Sequence, residues 1–189
     1  MELFQKAKTI RLKSYRDKYL TAEDDEENVI QDRDGSTKNS IWTVEFVPGR
    51  DVIRFISCYG KYLTASNMPL VPRMPGRKVI QTLPNCRDPR IDWEPIRDGF
   101  QVKLKTLWGN YLRPNGGVPP WRNCITHDIP HFSTTYNKIL WDVEVVETRP
   151  IPAALKNHKR THSDFTFDRS RSCSAASSSF MSHQPNVMN

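Results

Sequence analysis

The chain has 189 residues, of which 37% are hydrophobic and 26% charged, and its formal net charge is +7. This length suits one folded domain with some excess, and no apolar run is long enough to span a membrane. From residue 149 onward six basic and two acidic residues contribute +4, which leaves a nearly balanced +3 for the rest and disfavours nucleic-acid binding.

The N-terminal residues 1–8 are polar and of mixed charge, without the apolar segment of a secretory signal. The four cysteines contain no Cys-x-x-Cys pair, so without a secretory signal we interpret them as reduced thiols. We therefore expect a cytoplasmic protein with no membrane partner, with a cytoskeletal association as one option. The short basic stretch 156–160 leaves a nuclear location open.

Alternation of apolar and polar residues predicts twelve short strands in three sets of four. The first set is 10–14, 19–22, 29–31 and 41–46. The second set is 52–57, 62–65, 79–83 and 91–96. The third set is 100–106, 111–113, 124–126 and 140–146. Because a proline cannot donate to the strand ladder, Pro95 predicts that the eighth strand is short, bulged or at an edge.

The three sets repeat one another. A Tyr-Leu pair begins the second strand of each set, and the three tyrosines are spaced by 43 and then 49 residues. A tryptophan recurs near the fourth strand of each set, at Trp42, Trp93 and Trp141. Self-similarity at such a period indicates a repeat architecture.

One four-stranded unit cannot bury its own apolar face, whereas three units around a shared core can, and closure removes the exposed sheet edges. We therefore predict an all-β fold, a β-trefoil with three repeats of four strands and pseudo-threefold symmetry. A propeller normally needs at least four blades, and a β-sandwich does not predict a threefold repeat. The residues expected to form the shared core are Leu12, Leu20, Trp42, Phe55, Leu63, Trp93, Leu104, Leu112 and Trp141.

Past residue 148 the chain becomes serine-rich and basic, with only scattered apolar residues. Such a segment cannot bury enough surface to offset its ordering entropy. We expect a folded domain over 1–148 and a disordered tail over 149–189. Three tail serines follow an arginine by three residues and are candidate kinase sites, with a plain disordered tail as the alternative: Ser163, Ser172 and Ser174.

The third repeat carries an insertion from Asn115 to His131 that is rich in Gly and Pro, and this is the predicted ligand-binding surface. Trp121 would offer a stacking surface, Arg122 a fork for carboxylate or phosphate, and Asn123 directional hydrogen bonds. The alternative is that Trp121 folds back to plug the open end of the barrel.

The two histidines of this insertion, His127 and His131, would make the affinity depend on pH near 6.5. They are predicted to lie on a polar loop. Because this loop is extended and contains Pro130, the spacing of the two rings does not place them on one face, so no metal site is expected.

Sequence motifs of catalysis are missing: there is no Gly-x-Ser-x-Gly elbow and no Gly-x-x-x-x-Gly-Lys phosphate loop. We therefore expect a binding or scaffold module that is not an enzyme and uses no cofactor.

Five strings of the chain resemble a plant family of domains of unknown function that is described as actin cross-linking and fascin-like. They are 7–20, 42–49, 59–65, 116–123 and 126–131. The resemblance covers about residues 1–148 and implies a fascin-type β-trefoil that binds a protein partner, with actin filaments as the implied partner. The alternative is a lectin-like β-trefoil with a glycan partner, since β-trefoils similar to this one often bind sugars. A fascin-like protein usually has several trefoils in tandem, whereas this chain has one.

The composition of the tail leads to a first prediction. Limited proteolysis should remove the residues beyond about 149 without lowering the melting temperature of the remaining domain. A melting temperature several degrees lower after removal of 150–189 would show that the tail packs on the domain.

Overall fold

Twelve β-strands form nearly all the regular structure in the computed structural model, which describes residues 2–73, 76–83, 85, 87–130 and 133–150. They are β1 (Ala7–Ser14), β2 (Tyr19–Ala22), β3 (Val29–Asp32), β4 (Trp42–Phe46), β5 (Ile53–Ile56), β6 (Tyr62–Pro69), β7 (Arg77–Thr82), β8 (Glu94–Asp98), β9 (Gln101–Lys105), β10 (Tyr111–Pro114), β11 (Ile125–Asp128) and β12 (Trp141–Thr148). The helices are α1 (Glu2–Gln5) and the 3₁₀ helices η1 (Lys38–Ser40), η2 (Pro89–Ile91), η3 (Trp121–Asn123) and η4 (Ser133–Ile139). Within the described ranges, no helix has the length and apolarity needed to cross a bilayer.

Six of these strands close into a barrel. Antiparallel pairs join β12 to β1, β1 to β4, β4 to β5, β8 to β9 and β9 to β12. A bridge between Ile53 and Trp93 completes the ring between β5 and β8. The remaining strands form three hairpins, β2–β3, β6–β7 and β10–β11, one from each repeat. This arrangement is a β-trefoil, and the predicted fold class is confirmed.

The three tryptophans of the repeat occupy equivalent places in the core. Each is fully buried, and each indole Nε1 donates to the carbonyl oxygen of the leucine in the Tyr-Leu pair of its own repeat. The distances are 2.9 Å from Trp42 to Leu20, 3.0 Å from Trp93 to Leu63 and 3.1 Å from Trp141 to Leu112. All nine residues expected in the core are buried together in one cluster.

The tight turn between the first two strands of each repeat is also shared. In each turn a residue with a positive φ donates its N–H to the carbonyl three positions back, as Gly60 and Gly109 do to Ser57 and Thr106. Glycine adopts this conformation at no steric cost, while Asp17, with a φ of 55°, fills the same place in the first repeat.

The structure corrects several strand predictions: β1 begins at Ala7 and not at residue 10, and β6 runs to Pro69 and not only to residue 65. The eighth strand begins at Glu94 and not at residue 91, because Pro89–Ile91 form η2, whose N-cap Asp88 accepts a hydrogen bond from the N–H of Arg90. The eleventh strand runs on through His127 and Asp128, which the sequence placed on a loop. The residues 151–189, with Ser163, Ser172 and Ser174, lie outside the described residues, so the tail boundary, its disorder and its kinase sites stay predictions.

The tryptophan contacts lead to a second prediction. Trp141→Ala should lower the free energy of unfolding by about 3–5 kcal/mol, because it empties a large buried site and leaves the Leu112 carbonyl without its donor. Urea denaturation followed by circular dichroism measures this. Trp108→Ala is the matched control: Trp108 is 53% exposed and should change the stability by about 0.5 kcal/mol or less. Equal losses in both variants would contradict the assigned core.

Candidate functional site

A groove of about 450 Å³ opens where the three hairpins meet. Its floor contains Val29, Val79 and Ile125, which hold the same position in the three repeats and are all buried. The hairpins contact one another here: β7 pairs with β11, and single bridges join Asn28 to Ile80 and Ile30 to Cys124. The groove therefore lies on the pseudo-threefold axis, and we call it the axial groove.

Trp121 forms one wall of the axial groove and is 38% exposed. It begins η3, and the loop around it is closed by a hydrogen bond of 2.9 Å from the N–H of Asn115 to the carbonyl of Cys124. The side-chain amide of Gln31 donates to the carbonyls of Asn115 and Arg122 from inside the domain. The indole is therefore presented by a fixed loop on the groove wall, and it is not part of the buried core cluster.

Four polar side chains line the axial groove together with the indole: Glu23, Asn28, Lys78 and Asn123. Glu23 and Lys78 have no hydrogen bond or ion pair of their side chains within the part of the chain that the structure describes. Burial, with added repulsion from Asp25 and Asp24, raises the pKa of the Glu23 carboxyl. Asn28 and Asn123 are each held by one hydrogen bond, to Asp25 and from Lys18, and keep further amide atoms for a ligand.

Cys124 also lines the axial groove, and its thiol is a group that could in principle react with a ligand. It is a free thiol, and burial raises its pKa. A thiol with a raised pKa stays protonated at neutral pH and is a poor nucleophile. Among the described residues no group of three or more His, Cys, Asp or Glu side chains is placed to hold a metal ion.

The predicted site residues do not form one surface. Trp121 and Asn123 line the axial groove, whereas Asn115 lines a second groove of about 190 Å³ on the other side of the loop. The Arg122 side chain is exposed and lines neither groove. His131 lies outside the described residues. The ligand-binding role of these residues stays a prediction.

His127 requires a correction, because it lies in β11 and is buried, with 2% of its surface exposed. Its Nε2 bonds to the carbonyl of Ser66 at 2.8 Å, and its Nδ1 lies 3.1 Å from Nδ2 of Asn110. In register, His127 faces Leu112 as Gln31 faces Leu20 and Gln81 faces Leu63. The ring therefore takes the place of a glutamine that the other two repeats use.

These three side chains join the repeats in a cycle. Gln31 of the first repeat reaches a carbonyl of the third, Gln81 reaches a carbonyl of the first, and His127 reaches a carbonyl of the second. The accepting residues Glu23, Ser66 and Asn115 hold the same repeat position, four residues after the tyrosine of the Tyr-Leu pair. The sequence analysis assigned His127 to ligand contact because it did not align that residue with the two glutamines.

Sequence analysis also missed Glu23, Asn28 and Lys78 as groove residues. Asn28, Lys78 and Cys124 stand at the same repeat position, directly before the apolar residues of the groove floor. Aligning the three repeats at that point would have grouped them. Glu23 begins a run of five acidic residues, and only the fold shows that its side chain, unlike those of its exposed successors, is half-buried.

Comparisons with known proteins agree with this architecture. Residues 1–141 match the family model of a β-trefoil domain of unknown function, DUF569. No curated protein matches the chain.

Three solved structures illustrate the fold. A ricin B-like lectin from Macrolepiota procera, solved with lactose, superposes with a TM-score of 0.59 at 13% identity over 75% of this chain and 97% of the lectin chain. The Polyporus squamosus lectin, solved with a sialylated human-type influenza-binding epitope, gives 0.61 at 17% identity over 75% of this chain and 50% of that one. A GlcNAcα1-4Gal releasing endo-β-galactosidase from Clostridium perfringens gives 0.58 at 15% identity over 74% of this chain, which spans only 32% of the enzyme chain. At these identities the likeness shows the fold alone.

The position of His127 leads to a third prediction. Burial lowers the pKa of His127 below its ordinary value of 6.5, so the neutral ring is favoured in the folded state. Its contribution to stability is full above pH 6.5 and is lost as the pH falls, because the unfolded chain takes up the proton first. The wild-type domain should therefore lose stability between pH 7.5 and pH 5.5.

His127→Gln should remove this part of the pH dependence, because a glutamine amide can donate to Ser66 as Gln31 and Gln81 donate to their carbonyls. His127→Leu should lower the free energy of unfolding by about 1–3 kcal/mol at pH 7.5, since it leaves a buried carbonyl unpaired. Urea unfolding of both variants at the two pH values tests this. An unchanged pH dependence in His127→Gln would contradict the assignment.

Proposed function

The chain belongs to the DUF569 family of β-trefoil domains, and from this premise we propose that it is a non-catalytic binding module whose axial groove takes a carbohydrate. The observation that carries the proposal is the half-exposed indole of Trp121 among unpaired or partly paired polar side chains. This pairing of one apolar face with several hydrogen-bonding groups matches the two kinds of surface that a sugar ring presents.

The chemistry of each groove residue supports a sugar. Its C–H face would stack on Trp121, because an indole offers a large rigid apolar surface. The Glu23 carboxylate accepts hydrogen bonds from hydroxyl groups, the Lys78 ammonium donates them, and the amides of Asn28 and Asn123 can do both. The groove volume of about 450 Å³ lies within the range of about 300–1,000 Å³ that is usual for small-molecule sites.

The solved neighbours support the proposal by analogy. Two of them are lectins whose structures contain lactose or a sialylated epitope. A shared fold is a weak argument for a shared ligand, so the argument rests on the groove and the lectins only agree with it.

The number of carboxyl groups in the axial groove also favours binding over hydrolysis. Glycoside hydrolysis generally requires a pair of carboxyl groups that flank the scissile bond, and Glu23 is the single carboxylate among the described residues that line the axial groove. The activity of the Clostridium enzyme gives no reason to expect the same activity here, because this chain spans only 32% of the enzyme chain.

Actin binding is the second candidate, and it rests on the family resemblance of the sequence. Cross-linking requires two filament-binding sites, which one trefoil must supply alone, by dimerising or through its tail. The described residues contain no feature that favours actin over a sugar. The cytoplasmic or cytoskeletal location that accompanies this candidate stays a prediction as well.

A glycan array and an actin co-sedimentation assay with the full chain separate the two candidates. We expect retention of a subset of glycans and no enrichment in the actin pellet. Trp121→Ala should weaken the best glycan by about 2 kcal/mol or more, which is the scale of a binding hot spot.

Trp108→Ala is the matched control, because it removes another exposed tryptophan that does not line the groove. It should leave glycan affinity unchanged. Full affinity in a folded Trp121→Ala variant would reject the axial groove as the site. Co-sedimentation without glycan binding would reject the carbohydrate proposal.

A further inference from the structure

The second groove lies between the turn of the first repeat, residues 14–19, and the loop of the third repeat that begins at Asn115. Its volume is about 190 Å³. Three cationic side chains line it, those of Arg16, Arg113 and Lys138, and none of the described residues that line it is acidic. We call it the basic groove.

The pseudo-symmetry provides a reference for this junction. The turn of the second repeat packs in the same way against the connection that follows β2 in the first repeat. There the hydroxyl of Tyr59 donates to a carboxylate oxygen of Asp24 at 2.7 Å, and the ammonium of Lys61 lies 3.2 Å from Glu26. Polar groups of the turn thus meet carboxylates that belong to the protein itself.

At the basic groove both sides of this contact have changed. Arg16 stands where the second repeat has Tyr59, and Gly116 stands where the first repeat has Asp24. The guanidinium Nη2 of Arg16 therefore donates to the backbone carbonyl of Gly116 at 3.3 Å. Lys18, the counterpart of Lys61, donates to the neutral amide oxygen of Asn123 at 2.7 Å. A cation has been added and the carboxylate has been removed.

The surroundings leave this positive charge largely uncompensated. Of the three lining cations, Arg113 is paired with Asp128 at 2.8 Å, whereas Lys138 has no ion pair within the described part of the chain. Burial first, and then Arg33, Arg16 and Arg122, hold the pKa of the neighbouring Lys18 below its ordinary value, against an opposing effect of Asp32. Burial is the largest cause of this lowering, and the repulsion from the three arginines adds to it.

We propose that the basic groove is an oxyanion site that binds the phosphate or sulfate group of a monoester. Arg16 and Lys138 supply the charge. The hydroxyl of Tyr15, which accepts a hydrogen bond from Nε of Arg16 and keeps its own proton to donate, and the side-chain amide of Asn115 supply further donors. The anion takes the place that the carboxylate of Asp24 holds at the equivalent junction. This site is separate from the axial groove and does not depend on its ligand.

Isothermal titration of the full chain with inorganic phosphate and with inorganic sulfate, at constant ionic strength set by sodium chloride, tests the proposal. Glucose 6-phosphate, glucose 6-sulfate and glucose form the second arm. Equal affinity for an ester and its free anion would identify the anion alone as the ligand. Tighter binding of one ester than of its free anion, lost in the variant without Arg16 and Lys138, would identify the ester as the ligand.

Arg16→Gln combined with Lys138→Gln should weaken anion binding by about tenfold or more, since two charge-assisted contacts are lost. Lys8→Gln combined with Arg87→Gln removes the same charge outside both grooves and is the matched control. Gly116→Asp retains every cation but restores a carboxylate beside Arg16. Its Cβ also moves the Arg16 guanidinium, which lies against Gly116, so this variant should weaken binding as well.

No measurable anion binding by the wild-type chain would overturn the proposal. So would equal losses in the groove variant and the control variant, which would mean that only the net charge matters. Unchanged affinity in both folded groove variants would likewise overturn it. Because none of these variants alters an axial-groove residue, glycan binding measured in parallel distinguishes failure of this proposal from failure of the proposed function.

Discussion

The hydrogen bond from a buried tryptophan to the carbonyl of a Tyr-Leu leucine is the contact on which this fold depends. It occurs once in each repeat, with lengths between 2.9 and 3.1 Å. An indole is large enough to fill much of one repeat's share of the core, but its N–H needs a partner when buried. The leucine carbonyl supplies that partner and so joins the barrel to the hairpin of the same repeat. The barrel and the three hairpins are thereby held in one relative position.

A second set of contacts joins one repeat to the next. Gln31, Gln81 and His127 each extend from a hairpin to a backbone carbonyl of another repeat. Buried polar groups of this kind restrict the backbone to the arrangement that satisfies them. The three hairpins are therefore fixed against one another at the axis, where the axial groove opens. A groove that is already formed costs little conformational entropy when a ligand binds.

Departures from the threefold pattern account for both grooves. The longer loop of the third repeat carries Trp121 to the wall of the axial groove. The same loop has Gly116 where the first repeat has Asp24, and this leaves the basic groove without a carboxylate. The scaffold is preserved by the contacts that repeat, while recognition chemistry is added at positions where the repeats differ. A loop on a rigid framework can change in this way without loss of the core.

The amino-acid sequence by itself determined the β-trefoil and its core, because apolar alternation and the recurring Tyr-Leu and Trp positions are local patterns that survive in every repeat. Leu12, Phe55 and Trp141 could be assigned to the core on that basis. Only the tertiary structure decided that His127 is a buried connector, since its role follows from the register with Leu112 and from a carbonyl 61 residues away. Likewise, the separation of Trp121 and Asn115 into two grooves depends on which face of a loop each residue occupies. Those faces are set by hydrogen bonds from Gln31 and Lys18, residues distant in the chain, and such contacts leave no local pattern in the sequence.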